Sequence, residues 1–208
     1  MKFKHIIWDY DGTLFDSYPV VVAAFNEILI KYDIVEDINE IYSHMKISLS
    51  HANEYYREKH DLDDVFFEQY KNLKTIYDRE KTKPFDGAVE LCEAICTFGG
   101  KNYLYTHRDN SAVESINKHD MANFFTESIT SQQQFTPKPS PDAILYLLEK
   151  YKFPPDEAIM IGDRGIDIIS GKNAGIYSCY FSGDNGKYDV ADYNAKNFSE
   201  LFEVLGVG

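Results

Sequence analysis

The sequence predicts an α/β fold: a parallel β-sheet core covered by helices, with an all-helical unit inserted after the first strand. Three observations predict it. Short apolar or aromatic segments bounded by polar or turn residues recur at His5–Trp8, 102–105, 158–161 and 176–181. Near-continuous apolar strands of this kind belong to sheets buried on both faces. Helical patterns separate the later strands, and strand–helix alternation indicates parallel pairing. Finally, neither glycine nor proline occurs between Val20 and Lys83, so the strongest chain punctuators are missing where good helix formers are common.

Taken in order, the first strand ends at Asp9. The long uninterrupted stretch then opens with Val21, Phe25, Ile28, Leu29 and Tyr32, the i, i+4, i+7, i+8, i+11 face of an amphipathic helix. Further helices are expected near 39–45, 50–59 and 63–78, so residues 16–82 read as one helical unit. Past Pro84, Ala88, Leu91, Cys92 and Ile95 share a helix face before Gly99-Gly100 stops the helix. After the second strand, Ser140 can cap a helix with Pro141 at its first position. In that helix Ile144, Leu145, Leu148 and Tyr151 are expected on one side. The tail after Ser182 reads as a Gly/Asp/Asn loop and a weak final helix from Phe198.

At 208 residues the chain is expected to form one domain, or one domain with an insertion. Lys and Arg number 21 against 34 Asp and Glu, a net charge of 21 − 34 = −13. Such a chain repels phosphate backbones, which argues against a nucleic-acid coat protein or a polybasic membrane binder. Hydrophobic residues at 44% and charged residues at 26% fit a globular rather than a disordered protein. Three cysteines without a CxxC support neither a disulfide framework nor a cysteine zinc site. Cys92 and Cys96, four apart on one helix, are read as packing residues. No apolar run approaches the ~18 residues of a membrane span. Lys2 and Lys4 mimic the start of a leader, but the apolar run Ile6-Ile7-Trp8 stops at Asp9, too short for one. The expectation is a soluble cytoplasmic protein.

In an open parallel sheet, ligands bind beyond the carboxyl ends of the strands. The first strand ends in Asp9-Tyr10-Asp11-Gly12-Thr13, the second in Thr106-His107-Arg108, and the strand near 160 in Gly162-Asp163 with Asp167 four residues on. Thr136-Pro137-Lys138-Pro139 lies between the last two. Carboxylates, a hydroxyl and a lysine are thus expected at one edge. Several carboxylates in a small site repel one another, which raises pKa values or recruits a cation. A few hard oxygen ligands suit Mg²⁺, and a lysine and hydroxyl beside it suit a phosphate. Gly12 lets backbone N–H groups turn toward phosphoryl oxygens. Other histidines, at 5, 44, 51, 60 and 119, lack ligand spacing and are read as structural or solvated. Arg108 suits either a substrate anion or the surface.

The run Asp9-Tyr10-Asp11-Gly12-Thr13-Leu14 resembles the first motif of the haloacid dehalogenase-like hydrolases. Thr106 resembles the second, Lys138 the third, and Gly162-Asp163-Arg164-Gly165-Ile166-Asp167 the fourth. All four stand in order over residues 9–167, and the insertion resembles the helical cap of the branch holding phosphoglycolate phosphatases and beta-phosphoglucomutases. The resemblance implies a Rossmann-like catalytic core formed by 1–15 and 83–208, with a cap formed by 16–82.

It implies that Asp9 attacks phosphorus to form an aspartyl-phosphate. Asp11 serves as acid and then as base. Mg²⁺ is held by Asp9, the backbone carbonyl of Asp11, and Asp163. Phosphate is bound by Thr106, the backbone of His107, and Lys138, while Asp167 supports Lys138 or a metal-bound water. The dehalogenase branch lacks an aspartate two positions after its nucleophile, so Asp11 points to phosphate chemistry. The implied activity is a Mg²⁺-dependent phosphatase of a small phosphorylated metabolite. A phosphomutase or a non-catalytic binding module on the same fold are the alternatives. The cap is expected to close over the site on hinges near 15–19 and 82–85, with Lys46 and Arg57 available for a substrate's distal group or simply solvated. Many relatives carry a glycine in a substrate-facing cap loop, and none occurs here between Gly12 and Gly87, so the substrate is not read from the family.

Overall fold

The computed structural model describes residues 1–208 except 184 and 185. The Gly/Asp/Asn loop expected after Ser182 therefore falls in part outside the described residues. The chain divides into two compact units, Met1–Phe15 with Pro84–Gly208, and Asp16–Lys83.

The first unit is built on a six-stranded sheet of order β3-β2-β1-β4-β5-β6, parallel throughout. Its strands are β1 (His5–Trp8), β2 (Lys101–Tyr105), β3 (Phe125–Ile129), β4 (Ala158–Gly162), β5 (Tyr177–Phe181) and β6 (Tyr193–Ala195). The central strand β1 pairs Ile7 with Tyr103 on one side and with Met160 on the other. Alternate residues enter different cores, as the two-residue period of a strand requires. Ile6, Trp8, Leu104, Ile159, Ile161, Cys179 and Phe181 pack together on one face. Ile7, Tyr103, Tyr105 and Met160 pack on the other.

Helices in this unit are α5 (Ala88–Thr97), α6 (Ser111–Lys118), α7 (Asp142–Tyr151), α8 (Gly165–Asn173) and α9 (Phe198–Leu205). In α5 the expected face of Ala88, Leu91, Cys92 and Ile95 is fully buried, and burial pushes the Cys92 thiol well up, as befits a packing residue. In α7 the face differs from expectation. Leu145 is 45% exposed while Leu147 is buried with Ala143 and Ile144, and the helix begins at Asp142. Ser140 Oγ accepts from the Asp142 N–H at 3.3 Å.

One buried polar residue is explained by complete pairing. Asn102, in β2, accepts from Trp8 Nε1 at 2.9 Å and donates to the carbonyls of Cys92 at 3.0 Å and Phe124 at 3.2 Å. Buried polar groups are tolerated when bonded in this way.

The second unit holds α1 (Tyr18–Lys31), α2 (Ile38–Ile47), α3 (Leu49–His60) and α4 (Asp64–Lys81). Val21, Phe25, Ile28 and Leu29 are buried as the periodicity predicts. Tyr32 lies beyond the last turn of α1 and is 37% exposed, with its ring against the buried Phe66 at 5.1 Å. Side-chain caps set the later helix starts. Asp37 accepts from the Asn39 N–H at 2.8 Å, Ser48 from that of His51 at 3.0 Å, and Asp63 from that of Phe66 at 2.9 Å; each satisfies a helix-end donor. Within this unit Arg57 pairs with Asp64 at 2.9 Å and lies over the Phe67 ring, and His44 hydrogen-bonds His51 at 3.0 Å. No helix among the described residues is long and apolar enough to cross a membrane.

His5 gives a test of the sheet core. Its ring stacks on Phe153 at 3.9 Å, and burial, with help from Lys101, lowers its pKa to about 4. Its ordinary value is 6.5, so between 6.5 and 4 the unfolded chain binds the proton more readily than the folded one. Its contribution is present above 6.5 and is lost as pH falls through that window. His5→Phe keeps the stack and cannot protonate. The melting temperature of the variant is expected to gain on the wild type as pH falls from 6.5 to 4; parallel curves would refute a neutral, half-buried His5.

Candidate active site

The carboxyl ends of β1, β2 and β4 gather most of the expected residues. Asp9 follows β1 directly and its N–H still donates to the Ile161 carbonyl at 2.9 Å, so the sheet itself fixes its backbone. The chain then folds back sharply. The Tyr10 carbonyl accepts from Leu14 at 3.1 Å and Phe15 at 3.0 Å, and the Gly12 N–H donates to Phe15 at 2.9 Å. Gly12 sits at φ +68, a left-handed conformation that glycine adopts without penalty.

Lys138 reaches into the centre from the loop before α7. Its fully buried Nζ lies 2.6 Å from Asp9 Oδ1 and 2.7 Å from Asp167 Oδ1, with the Tyr105 ring 4.7 Å away. Burial alone would depress this ammonium, but Asp167 and Asp9 outweigh it and hold its pKa up. Asp9 responds in the opposite sense to an ordinary ion pair. Burial, reinforced by Asp167 and only partly offset by Lys138, pushes its carboxyl from 3.8 up to about 6.

Asp167 is locked from both sides, since its Oδ2 also accepts from the Arg164 N–H at 3.0 Å. A Cβ at Gly162 would fall 2.3 Å from Asp167 Cβ, so only glycine at the end of β4 admits this carboxylate so close to the sheet.

Oxygens of Asp9, Asp163 and Asp167 lie within 4.8 Å of one another, all three side chains buried. The three carboxylates crowd one buried ammonium, with the Arg164 charge also acting on Asp9, and Asp9 Oδ2 is buried with no hydrogen-bond partner. A hard divalent cation fits this donor set and this deficit.

The phosphate-binding candidates stand at the end of β2. Thr106 is buried, donates its N–H to Ile129 at 3.0 Å, and its Oγ1 accepts from the Arg108 N–H at 3.1 Å. His107 Nε2 accepts from the Lys138 N–H at 3.0 Å, tying the lysine loop to β2. Burial and the nearby Lys138 lower its pKa to about 4, consistent with a neutral ring that accepts at this nitrogen.

Asp11 is placed apart from the three-carboxylate group. Arg108 grips it through both oxygens, Nε at 3.0 and 2.8 Å and Nη2 at 2.7 Å. Arg108 is thus a site residue whose partner the sequence did not reveal: the two residues are 97 positions apart and share no periodic pattern. Thr13, read only as part of the first motif, is also inward, with its Oγ1 buried and without a partner.

Fold and site together define an α/β protein with a buried carboxylate–lysine centre at the carboxyl edge of a parallel sheet. The chain belongs to the haloacid dehalogenase-like hydrolases, whose family model matches residues 6–181. It is 27% identical to a phosphoglycolate phosphatase of Vibrio parahaemolyticus, over 98% of this chain and 96% of that one. It is 26% identical to a pyrophosphatase of Bacillus thuringiensis, over 84% and 81%. The solved structure of a hydrolase from Streptococcus pneumoniae matches all of both chains at 34% identity and a TM-score of 0.77.

Proposed function

We propose that this enzyme is a Mg²⁺-dependent phosphatase that hydrolyses a small-molecule phosphate monoester through an aspartyl-phosphate on Asp9. The observation that carries the reading is the buried Lys138 ammonium held between Asp9 and Asp167 with Asp163 alongside. Such a centre matches the needs of a dianionic phosphoryl group and a metal better than those of a neutral ligand. The names of the phosphatase and pyrophosphatase relatives support the same chemistry.

In this reading a carboxylate oxygen of Asp9 attacks phosphorus while the ester P–O bond breaks, and Asp11 gives a proton to the departing oxygen. Asp11 then takes a proton from water, which attacks phosphorus and frees Asp9 and inorganic phosphate. Thr106 and the His107 backbone orient the phosphoryl oxygens, and Lys138 offsets charge on Asp9 and the phosphate. Mg²⁺, held by Asp9, Asp163 and the Asp11 carbonyl, would supply positive charge against the phosphoryl oxygens. Asp167 holds Lys138 in line.

The test is release of inorganic phosphate from an aryl phosphate. Chelation is expected to lower the rate at least about 100-fold, with recovery on adding Mg²⁺. Undiminished turnover after metal removal would overturn the metal assignment, and no phosphate release in Mg²⁺ would overturn the phosphatase reading.

A further inference from the structure

Lys138 supplies the positive charge of the proposed chemistry, yet it stands on a loop, where the chain itself does little to fix a side chain. Asp9 and Asp167 take two of the three donors of its ammonium, and the third is left for a phosphoryl oxygen. Those contacts fix only the tip. The body of the residue is held from the end of β2. His107 Nε2 accepts the Lys138 N–H at 3.0 Å. A backbone amide can only donate, so this nitrogen carries no proton and the ring is neutral, with its proton on Nδ1. The Tyr105 ring lies against the ammonium, with Nζ 4.7 Å from its centre, and the Tyr105 hydroxyl donates to the Thr136 carbonyl of the same loop at 3.5 Å. A ring face attracts a cation without adding a fourth carboxylate to the centre. The rings of Tyr105 and His107 meet edge to face at 6.5 Å, and the two residues flank Thr106.

Resting on the phosphatase reading above, we infer that the side chains of Tyr105 and His107 are positioning residues of the reaction: the tyrosine ring holds the Lys138 ammonium from one side, the imidazole holds the Lys138 backbone, and together they set the lysine at a fixed distance from Thr106. The strand end that offers Thr106 to the phosphoryl group thereby also carries the lysine. Two groups that grip the phosphoryl oxygens are fixed to one rigid element, and neither has to move as charge develops on phosphorus. Such placement is worth a large factor, since a displacement of about 1 Å can cost about 100-fold in rate.

The experiment measures aryl phosphate turnover in Mg²⁺ for variants paired to differ in one contact. His107→Gln keeps an acceptor of similar reach and His107→Leu does not; Tyr105→Phe keeps the ring face and Tyr105→Leu does not. Each leucine variant is expected to lower kcat about tenfold or more, and its glutamine or phenylalanine counterpart to recover the loss to within about threefold of wild type. In the Lys138→Met background the same leucine changes are expected to lower the remaining turnover by less than about twofold, because the group they position is gone. A merely structural role would cost the same factor in both backgrounds. Should a leucine variant not fold, methionine takes its place and keeps more of the volume. Independently of activity, long-range ¹H–¹⁵N spectra of the wild type at neutral pH are expected to show His107 with a proton on Nδ1 and none on Nε2; a protonated Nε2 overturns the His107 contact. A wild type that hydrolyses aryl phosphate while the leucine variants stay within about threefold of it overturns the inference and spares the phosphatase reading. So does equal loss in both members of each pair. A wild type that releases phosphate from no ester overturns both.

Discussion

Asp9→Asn is expected to abolish turnover of every phosphate ester, by at least about 10⁴-fold, in a protein that folds normally. The amide keeps the shape of the carboxyl group but has no charged oxygen to attack phosphorus, and about 5.5 kcal/mol of barrier corresponds to that factor. Stability is expected to move the other way. Burial and Asp167 push the Asp9 carboxyl from 3.8 up to about 6, so between those values the folded chain holds a proton that the unfolded chain has released. The wild type therefore loses stability as pH rises through that window, and a neutral asparagine does not. Lys138 keeps Asp167 as a partner at 2.7 Å. Melting curves of the metal-free proteins should show the variant gaining on the wild type from pH 4 to 6 and holding the gain above. Retention of more than a small fraction of activity would mean that another group attacks; a variant that loses stability as pH rises would mean that Asp9 is not a strained carboxylate.

The contrast between what the sequence disclosed and what it hid has physical causes. Strands β1, β2, β4 and β5 were legible because they are buried on both faces and read as apolar runs. Strand β3 was not: Phe125-Thr126-Glu127-Ser128-Ile129 lies at the sheet edge with only Ile129 buried, so it carries neither a run nor a clean alternation. Strand β6 spans three residues, Tyr193–Ala195, too few for a period. Helix α8 opens on Gly165 and holds Gly171, which read as breakers. At Gly171 a Cβ would meet Met160 Cβ at 3.0 Å, so the glycine serves close packing of α8 on β4. In α7 the apolar residues Ile144, Leu145, Leu147 and Leu148 offer two overlapping stripes, and the one through Leu147 is buried.

The site divides along the same line. Asp9, Thr106, Lys138, Asp163 and Asp167 were legible because each stands at or just beyond a strand end or loop whose position the sheet dictates. The side-chain pairings were not. Lys138 and Asp9 are 129 positions apart, and nothing in local spacing encodes their 2.6 Å contact. The Asp11–Arg108 pair is hidden for the same reason. Strand order brings β2 beside β1, and only the folded register sets Arg108 against Asp11.

Lys138→Met is expected to cost both activity and stability, and the pH dependence identifies why. Methionine fills a similar volume and can keep contact with the Tyr105 ring, so the change removes chiefly the charge. That charge touches Asp9 and Asp167 at 2.6 and 2.7 Å in a fully buried position. Removing one partner from a buried ion pair leaves uncompensated charge, typically a loss of about 3–5 kcal/mol. Here the unpaired groups are carboxylates next to Asp163, and without the ammonium the Asp9 carboxyl, already pushed up by burial, rises further and holds a proton that the unfolded chain releases above pH ~4. The folded variant then binds more protons than the unfolded one, and its stability falls as pH rises from about 4 toward 8. The deficit against wild type is therefore expected to be small near pH 5 and largest near pH 8. Mg²⁺ should raise the melting temperature of the variant more than that of the wild type, because a cation offsets the same excess charge. Turnover should stay down by at least about 10³-fold even with Mg²⁺, since a cation held at Asp9 and Asp163 does not replace the fixed ammonium that donates to Asp9 Oδ1. A deficit that does not change with pH would assign Lys138 a packing role instead, and recovery of turnover by Mg²⁺ alone would remove it from the chemistry.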